Sequence, residues 1–250
     1  MIDEALIAEL EKIQEPGALL AELHHRYQDR FAIGTSGQLT GSALIALAVE
    51  AGVKPRVFTN DTLRLFPETY ALFDALEKCF GLKIERMTPP KDKLDQMIAQ
   101  HGENLFFDSK TKQEYCCEVR KVLSNEQALN SVDVWVTGLR ADQSKARAHT
   151  GRFEIIHHNA PNGPRPILKV APLVSWTETQ VREYLKKHNV PVHELLDKKL
   201  PGGYYYESLG CVICTTPIGP NEPRRAGRWR WFNSLEQEDK KECGLHLPKP

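Results

Sequence analysis

Between residues 31 and 139, four short strand-like runs are separated by helical repeats, and this alternation restricts the chain more than any other feature. Residues 31–34 (FAIG), 54–61 (KPRVFTND), 82–89 (LKIERMTP) and 132–139 (VDVWVTGL) are apolar and rich in β-branched or aromatic side chains. Residues 42–50, 66–81 and 92–102 carry apolar side chains at helical spacing. Strands alternating with helices predict βαβ units around a parallel sheet flanked by helices. Ligands of such sheets bind beyond the carboxyl ends of the strands. The loops after the first, second and fourth strands are therefore where chemistry is expected.

Two helices precede the sheet, at 2–14 and 16–28, the second with Pro16 near its start. Residues 153–173 read as a hairpin or insertion around NAPNGPRP. Residues 175–191 read as a helix with Thr177 as its N-cap and Pro191 beyond its end. Beyond residue 190 the periodicity fades into a Gly-, Pro-, Tyr- and Arg-rich segment. The expected organisation is N-terminal helices over 1–30, a nucleotide-binding α/β region over 31–190, and an irregular C-terminal segment with a mobile tail over 191–250, part of the same domain.

Lys plus Arg number 33 and so do Asp plus Glu, so no global charge points to nucleic acid or to an acidic membrane. The N-terminus is acidic and amphipathic, unlike a secretory signal, and no apolar run approaches a membrane span. These features predict a cytoplasmic protein without nucleic-acid or membrane partners. In that compartment the six cysteines are poor disulfide candidates. Cys79 lies in an apolar pattern and is expected to pack in the core.

The loop GTSGQLTGSAL (34–44) offers bare backbone N–H groups around Ser36 and Gly37, and a helix N-terminus, to an anion. It is neither a Walker A nor a full dinucleotide loop. NDTLRLFPETY (60–70) places Asp61, Thr62 and Arg64 where the second strand ends, and an ordinary capping turn explains them about as well. TGLRADQSKAR (137–147) supplies Arg140, Lys145 and Arg147 after the fourth strand, or simply a solvated charged loop. EPRRAGRWRWF (222–232) holds four arginines within seven residues, forks suited to phosphate or sulfate.

Cys211 and Cys214 form a C-x-x-C pair, a metal-ligand spacing also found in redox pairs. Cys116 and Cys117 are adjacent, too close for an unstrained disulfide. Together the four make a thiolate set for Zn or a [4Fe–4S] cluster. Adjacent cysteines reach different irons of a cluster more easily than one zinc, which favours the cluster. Cys243 stands near Lys240, Lys241 and His246, neighbours that raise a thiolate fraction.

CCEVRK, TGLRADQS, SLGCVICTTP, RAGRWRW and ECGLH together resemble the adenylyl-sulfate and phosphoadenylyl-sulfate reductases of assimilatory sulfate reduction, over most of residues 30–246. The four-cysteine set is similar to the cluster-bearing subgroup, which mostly uses adenosine 5′-phosphosulfate; members without it generally use the 3′-phosphorylated form. The resemblance implies an adenine nucleotide alpha hydrolase-like (PP-loop type) fold and a [4Fe–4S] cluster on Cys116, Cys117, Cys211 and Cys214. It implies Cys243 as nucleophile with His246 beside it, Lys121 next to the cluster, and Arg147, Arg225 and Arg228 on the phosphosulfate. The implied partners are the phosphosulfate nucleotide and a thioredoxin- or glutaredoxin-like reductant, and a homo-oligomer is compatible with it. The family's DTGRL reads DTLRL here, with Leu63 for glycine. SGQLTGS lacks the Gly-Gly-x-Asp of related ATP-cleaving enzymes such as tRNA-thiolating ligases, and extra residues precede the C-x-x-C. The alternatives are such an ATP-dependent tRNA-thiolating ligase and, from another class, a non-catalytic iron–sulfur or zinc nucleotide-binding module.

Overall fold

The computed structural model describes residues 2–232. Helices α1 (Glu4–Leu10) and α2 (Pro16–Tyr27) lead into the sheet. The strands are β1 (Phe31–Gly34), β2 (Arg56–Asn60), β3 (Ile84–Met87), β4 (Val134–Thr137), β5 (Phe153–Ala160) and β6 (Gly163–Val170). They form one sheet in the order β3-β2-β1-β4-β6-β5. β1 runs parallel to β2 and β4, and β4 parallel to β6. β5 is antiparallel to β6, paired from Phe153↔Val170 to Ala160↔Gly163, so the expected hairpin closes one edge. β4 is buried along its whole length, as the fully apolar VWV run requires.

α3 (Leu39–Glu50) connects β1 to β2. It begins three residues earlier than its apolar pattern suggests, and Leu39 through Ala48 are buried on every side. Gly41 is what admits this, since a Cβ there would lie 2.3 Å from the Thr35 hydroxyl oxygen. α4 (Pro67–Phe80) follows β2, and α5 (Lys91–His101), α6 (Lys110–Cys117) and α7 (Leu123–Leu129) fill the crossover from β3 to β4. α8 (Glu178–Lys187) carries the expected Thr177 cap, with Gln180 returning the bond as a capping box. α9 (Glu194–Asp197) is a single turn. Cys79 on α4 is exposed, against the core position expected for it; its neighbours Leu76 and Phe73 fill the inward face instead.

Strand order reverses direction at β1 and β4, so the loops leaving these two strands flank the crevice characteristic of such sheets. The chain separates into two compact units. The first joins Met1–Thr59, Ala71–Glu85 and Ala128–Val192; the second joins Asn60–Tyr70, Arg86–Gln127 and the chain from His193 onward. Among the described residues no helix is long and apolar enough to cross a membrane.

Candidate active site and thiol centre

In the second unit, α6 starts at Ser109, whose hydroxyl accepts from the Lys112 N–H, and ends with Cys116 and Cys117. The helix does not stop there. It widens into a π-helical segment, Glu118–Val122, and resumes as α7. The wider turn leaves Cys116, Val119, Arg120 and Val122 all buried, with Lys121 half-buried. π-Bulges of this kind concentrate at functional sites.

The C-x-x-C pair lies in a 3-10 turn, closed by the Cys214 N–H donating to the Cys211 carbonyl at 3.0 Å. The arginine-rich segment runs beside it. Trp229 N–H donates to the Cys214 carbonyl at 3.2 Å, and Thr216 N–H to the Gly227 carbonyl at 2.9 Å. Trp229 adopts φ 45°, an unusual conformation for a bulky residue. Cys116 and Cys214, 5% and 6% exposed, share one apolar cluster with Met97, Phe106, Val119 and Trp229, and Cys117 and Cys211 pack against it. All four are free thiols.

Burial pushes the Cys116 thiol up, and Arg120, which also hydrogen-bonds it, works in the opposite direction. Burial raises Cys214 to about 12, helped by the nearby Cys211 and opposed by Arg228 and the Trp229 indole. Burial and the neighbouring Arg64 lower the Arg120 guanidinium. Arg120 Nη1 donates to the Thr62 carbonyl at 3.0 Å. The Cys211 thiol donates to the Thr62 hydroxyl at 3.2 Å, and Gln113 Nε2 donates to the Cys117 sulfur at 3.6 Å. Arg64 lies over the Phe106 ring, and Arg228 over the Trp229 ring. A buried N–H of each of Arg64, Arg120 and Arg228 has no acceptor among the described residues.

Among the described residues, no group of three or more His, Cys, Asp or Glu side chains is placed to hold a metal ion. The donor chemistry nevertheless suits a polythiolate cluster. Four soft sulfur donors are gathered in an apolar enclosure, and orphaned guanidinium N–H groups leave it short of negative charge.

The arginines of 222–232 divide into two kinds. Arg224 pairs with Glu207, and Arg230 with Glu222, Thr216 and the Pro217 carbonyl, so these two brace the loop. Arg228 instead lies flat against Gly210, where a Cβ would come within 2.2 Å of its Nη2. Arg225 is half-buried in the same turn. In the 60–70 segment, Asp61 and Thr62 are buried. The Asp61 carboxylate accepts from the Tyr70 hydroxyl at 2.7 Å and the Leu63 N–H at 2.9 Å, which makes it a turn-forming group. Leu63 itself has φ 59°.

In the first unit, Ser36 is exposed and Gly37 has φ 70°, with its N–H on the Thr35 hydroxyl. Gln38 caps α3 without a side-chain bond, and the Gly41 N–H is taken by the Gln38 carbonyl at 2.9 Å, so the Leu39 and Thr40 N–H groups are the ones the first turn offers to an anion. Gly138 brings the β4 loop close to α3, its virtual Cβ 3.2 Å from that of Thr40. Arg140 is buried and bound to Thr40, Asp142 and Glu178. Its charge anchors the loop to the starts of α3 and α8. Arg147 is half-buried and donates to the Gln143 side-chain oxygen, and Lys145 is exposed. Cys243 and His246 lie outside the described residues.

Arg120, expected from its place beside the cysteine pair to offset thiolate charge, does act on Cys116. The residues that sequence reasoning passed over as site residues are Gln113, Trp229 and Gly210. Gln113 had a signal, since Gln113 to Cys117 is a helical i,i+4 pair. Gly210 and Trp229 had none, because their roles come from the packing of two loops.

Residues 30–217 match the phosphoadenosine phosphosulfate reductase domain. An adenosine 5′-phosphosulfate reductase of Burkholderia cepacia is 37% identical over 236 residues, 94% of this chain and 88% of its own. One from Agrobacterium fabrum is 39% identical over 191 residues, 76% of this chain and 67% of its own. A crystal structure of phosphoadenylyl-sulfate reductase from Candida auris, a phosphate complex, superposes with a TM-score of 0.65 at 23% identity, covering 87% of this chain and 98% of that one.

Proposed function

The chain belongs to the phosphoadenosine phosphosulfate reductase family, and from that membership we propose that it reduces adenosine 5′-phosphosulfate to sulfite and AMP, with thiols as the electron source. The observation that carries the reading is the gathering of Cys116, Cys117, Cys211 and Cys214 in one enclosure lined by arginines.

These four cysteines would hold a [4Fe–4S] cluster, which when bound supplies a cross-link between α6 and the C-x-x-C turn and a local charge field. Arg120 and the Trp229 indole steady the Cys116 and Cys214 sulfurs, and the Trp229 backbone N–H holds the Cys214 carbonyl. Ser36 and the Leu39 and Thr40 N–H groups of α3 are offered to phosphate, in a loop that the left-handed Gly37 turns towards it. Asp61, Thr62 and Arg64 line the adenosine. Lys121, Arg147, Arg225 and Arg228 stabilise charge on the sulfate and on the departing phosphate oxygens.

The Cys243 thiolate, favoured by the lysines and His246 near it in sequence, attacks the sulfate sulfur. A sulfur–sulfur bond forms, the bond from that sulfur to the bridging oxygen breaks, and AMP leaves with the electron pair. One thiolate of a reduced thioredoxin-like dithiol then attacks Cys243, expelling sulfite. The second thiol resolves the mixed disulfide, so the partner dithiol is oxidised and Cys243 returns as a thiolate.

The test is sulfite release from both nucleotides by anaerobically purified protein with a thioredoxin donor. Faster release from the 5′-phosphosulfate than from its 3′-phosphorylated form is expected. Cys243→Ser should lower the rate on the order of a thousandfold or more. A serine variant at the wild-type rate overturns the mechanism, and an active, colourless, zinc-bearing protein overturns the cluster.

A further inference from the structure

Leu63 adopts φ 59° although the residue is 51% exposed. For an L-residue other than glycine or asparagine this conformation is disfavoured about five- to thirtyfold in an equilibrium. Its own packing does little to offset that. What fixes the turn is the set of bonds made by its backbone and by its two neighbours. The Leu63 N–H reaches Asp61 at 2.9 Å, a local contact. Arg64 also donates from its side chain to the Glu103 carbonyl at 2.8 Å. The remaining three end on the thiol-bearing segments. Arg120, one turn beyond Cys116, donates to the Thr62 carbonyl at 3.0 Å. Cys211 donates to the Thr62 hydroxyl at 3.2 Å. Val212, inside the C-x-x-C, donates its N–H to the Arg64 carbonyl at 2.8 Å.

We propose that Leu63 is a strained joint through which the thiol centre and the Asp61–Thr62–Arg64 segment set each other's conformation. It is a positioning residue for both. While Arg120, Cys211 and Val212 are in place, the turn is held at positive φ. When they are displaced, a leucine returns to negative φ and turns Thr62 and Arg64 away. Glycine has no such preference and would let the two halves vary independently. The coupling is thus a property of the leucine, and it is reciprocal: a ligand that orders the 60–70 segment must also steady Cys211.

The inference rests on the reading that this segment contacts nucleotide and that the cysteines hold a cluster, so the experiment has an arm for each. AMP is the probe. On full-length, anaerobically purified protein, iron release to a chelator is timed with and without AMP. On the same protein stripped of iron, alkylation of Cys211 is timed by site-resolved mass spectrometry. AMP is expected to slow both by fivefold or more in the wild type and by less than twofold in Leu63→Gly. Leu63→Asn, which tolerates left-handed backbone but keeps a side chain, should behave as the glycine variant does. Protection by AMP as strong in Leu63→Gly as in the wild type overturns the proposal. So does wild-type behaviour of Leu63→Asn, which would trace the glycine effect to chain flexibility, and so does a wild type that AMP does not protect. A wild type that binds no iron removes the cluster reading, while the alkylation arm still decides the joint.

Discussion

His193 occupies a position that only its neutral ring fills. Nδ1 accepts the Leu195 N–H at 3.3 Å as the cap of α9, so Nε2 carries the proton and donates to the Thr69 hydroxyl at 2.8 Å. Burial, partly opposed by Glu68, lowers this histidine to about 4. The unfolded chain then takes up its proton near pH 6.5, before the folded one does. The contribution is complete above pH 6.5 and lost as the pH falls towards 4. Urea titrations at pH 7.5 and 5 should show a loss of about 2 kcal/mol from this group, absent in His193→Gln.

Two glycines test whether the loops around the thiols are held by backbone or by side chain. At Gly227 a Cβ would lie 2.1 Å from the Thr216 carbonyl oxygen, a backbone atom that cannot swing aside. Gly227→Ala should lower stability by about 2–4 kcal/mol, read as a drop in melting temperature. At Gly210 the obstacle is the end of the Arg228 side chain, which can move. Gly210→Ala should leave stability within about 1 kcal/mol of the wild type and raise the KM for the phosphosulfate nucleotide, because Arg228 is pushed aside. Residue identity alone did not separate Arg224 and Arg230 from Arg228. Their partners, Glu207 and Glu222, lie elsewhere in loops without a repeat, so the pairing exists only in three dimensions.

Among elements, the π-helical segment Glu118–Val122 decides how the cysteine pair meets its surroundings. A π-turn holds one residue more than the α-turn it replaces. Deleting exposed Glu118 should restore a regular helix and rotate the Cys116–Cys117 pair by about 100° relative to Arg120 and Val122. The expected result is unchanged far-UV circular dichroism with iron content cut to background; full iron content would show the bulge to be dispensable. The regular elements were legible because burial imposed a period: β1, β2 and β4 as apolar runs, α8 through its Thr177 cap. The π-segment was not, since one extra residue in a helix leaves no compositional mark. The segment after α9 was not either. Isolated bridges such as Lys199↔Tyr205, Tyr205↔Ile218 and Thr215↔Arg228 hold it, and none repeats along the chain.

At the scale of the whole molecule, contacts and sequence order diverge. Residues 60–70, 86–127 and 193 onward form one compact unit, and the stretches between them the other. If the four cysteines tie the first of these together, stripping the metal should raise amide exchange in 110–127 and 205–232. Strands β1, β4 and β6 of the other unit should keep their protection. Uniform exchange across both units would show the thiol centre to be energetically peripheral. That the loops after β1 and β4 flank the sheet's crevice was readable from the alternation of strands and helices; the loop after β2 was expected there too and belongs to the unit that holds the cysteines. Which cysteines meet was readable only from their number and chemistry, because no local pattern links residue 117 to residue 211.

That separation has a consequence for how the molecule is made. Cys116 and Cys117 leave the ribosome well before Cys211, and at about 5–20 residues per second the interval lasts roughly 5–20 s. The thiol enclosure cannot exist in a nascent chain that ends short of Trp229, which lies over Cys214. Assembly of the centre therefore waits until residue 229 has been made, and for the seconds before it the adjacent pair is an unprotected target for any passing oxidant.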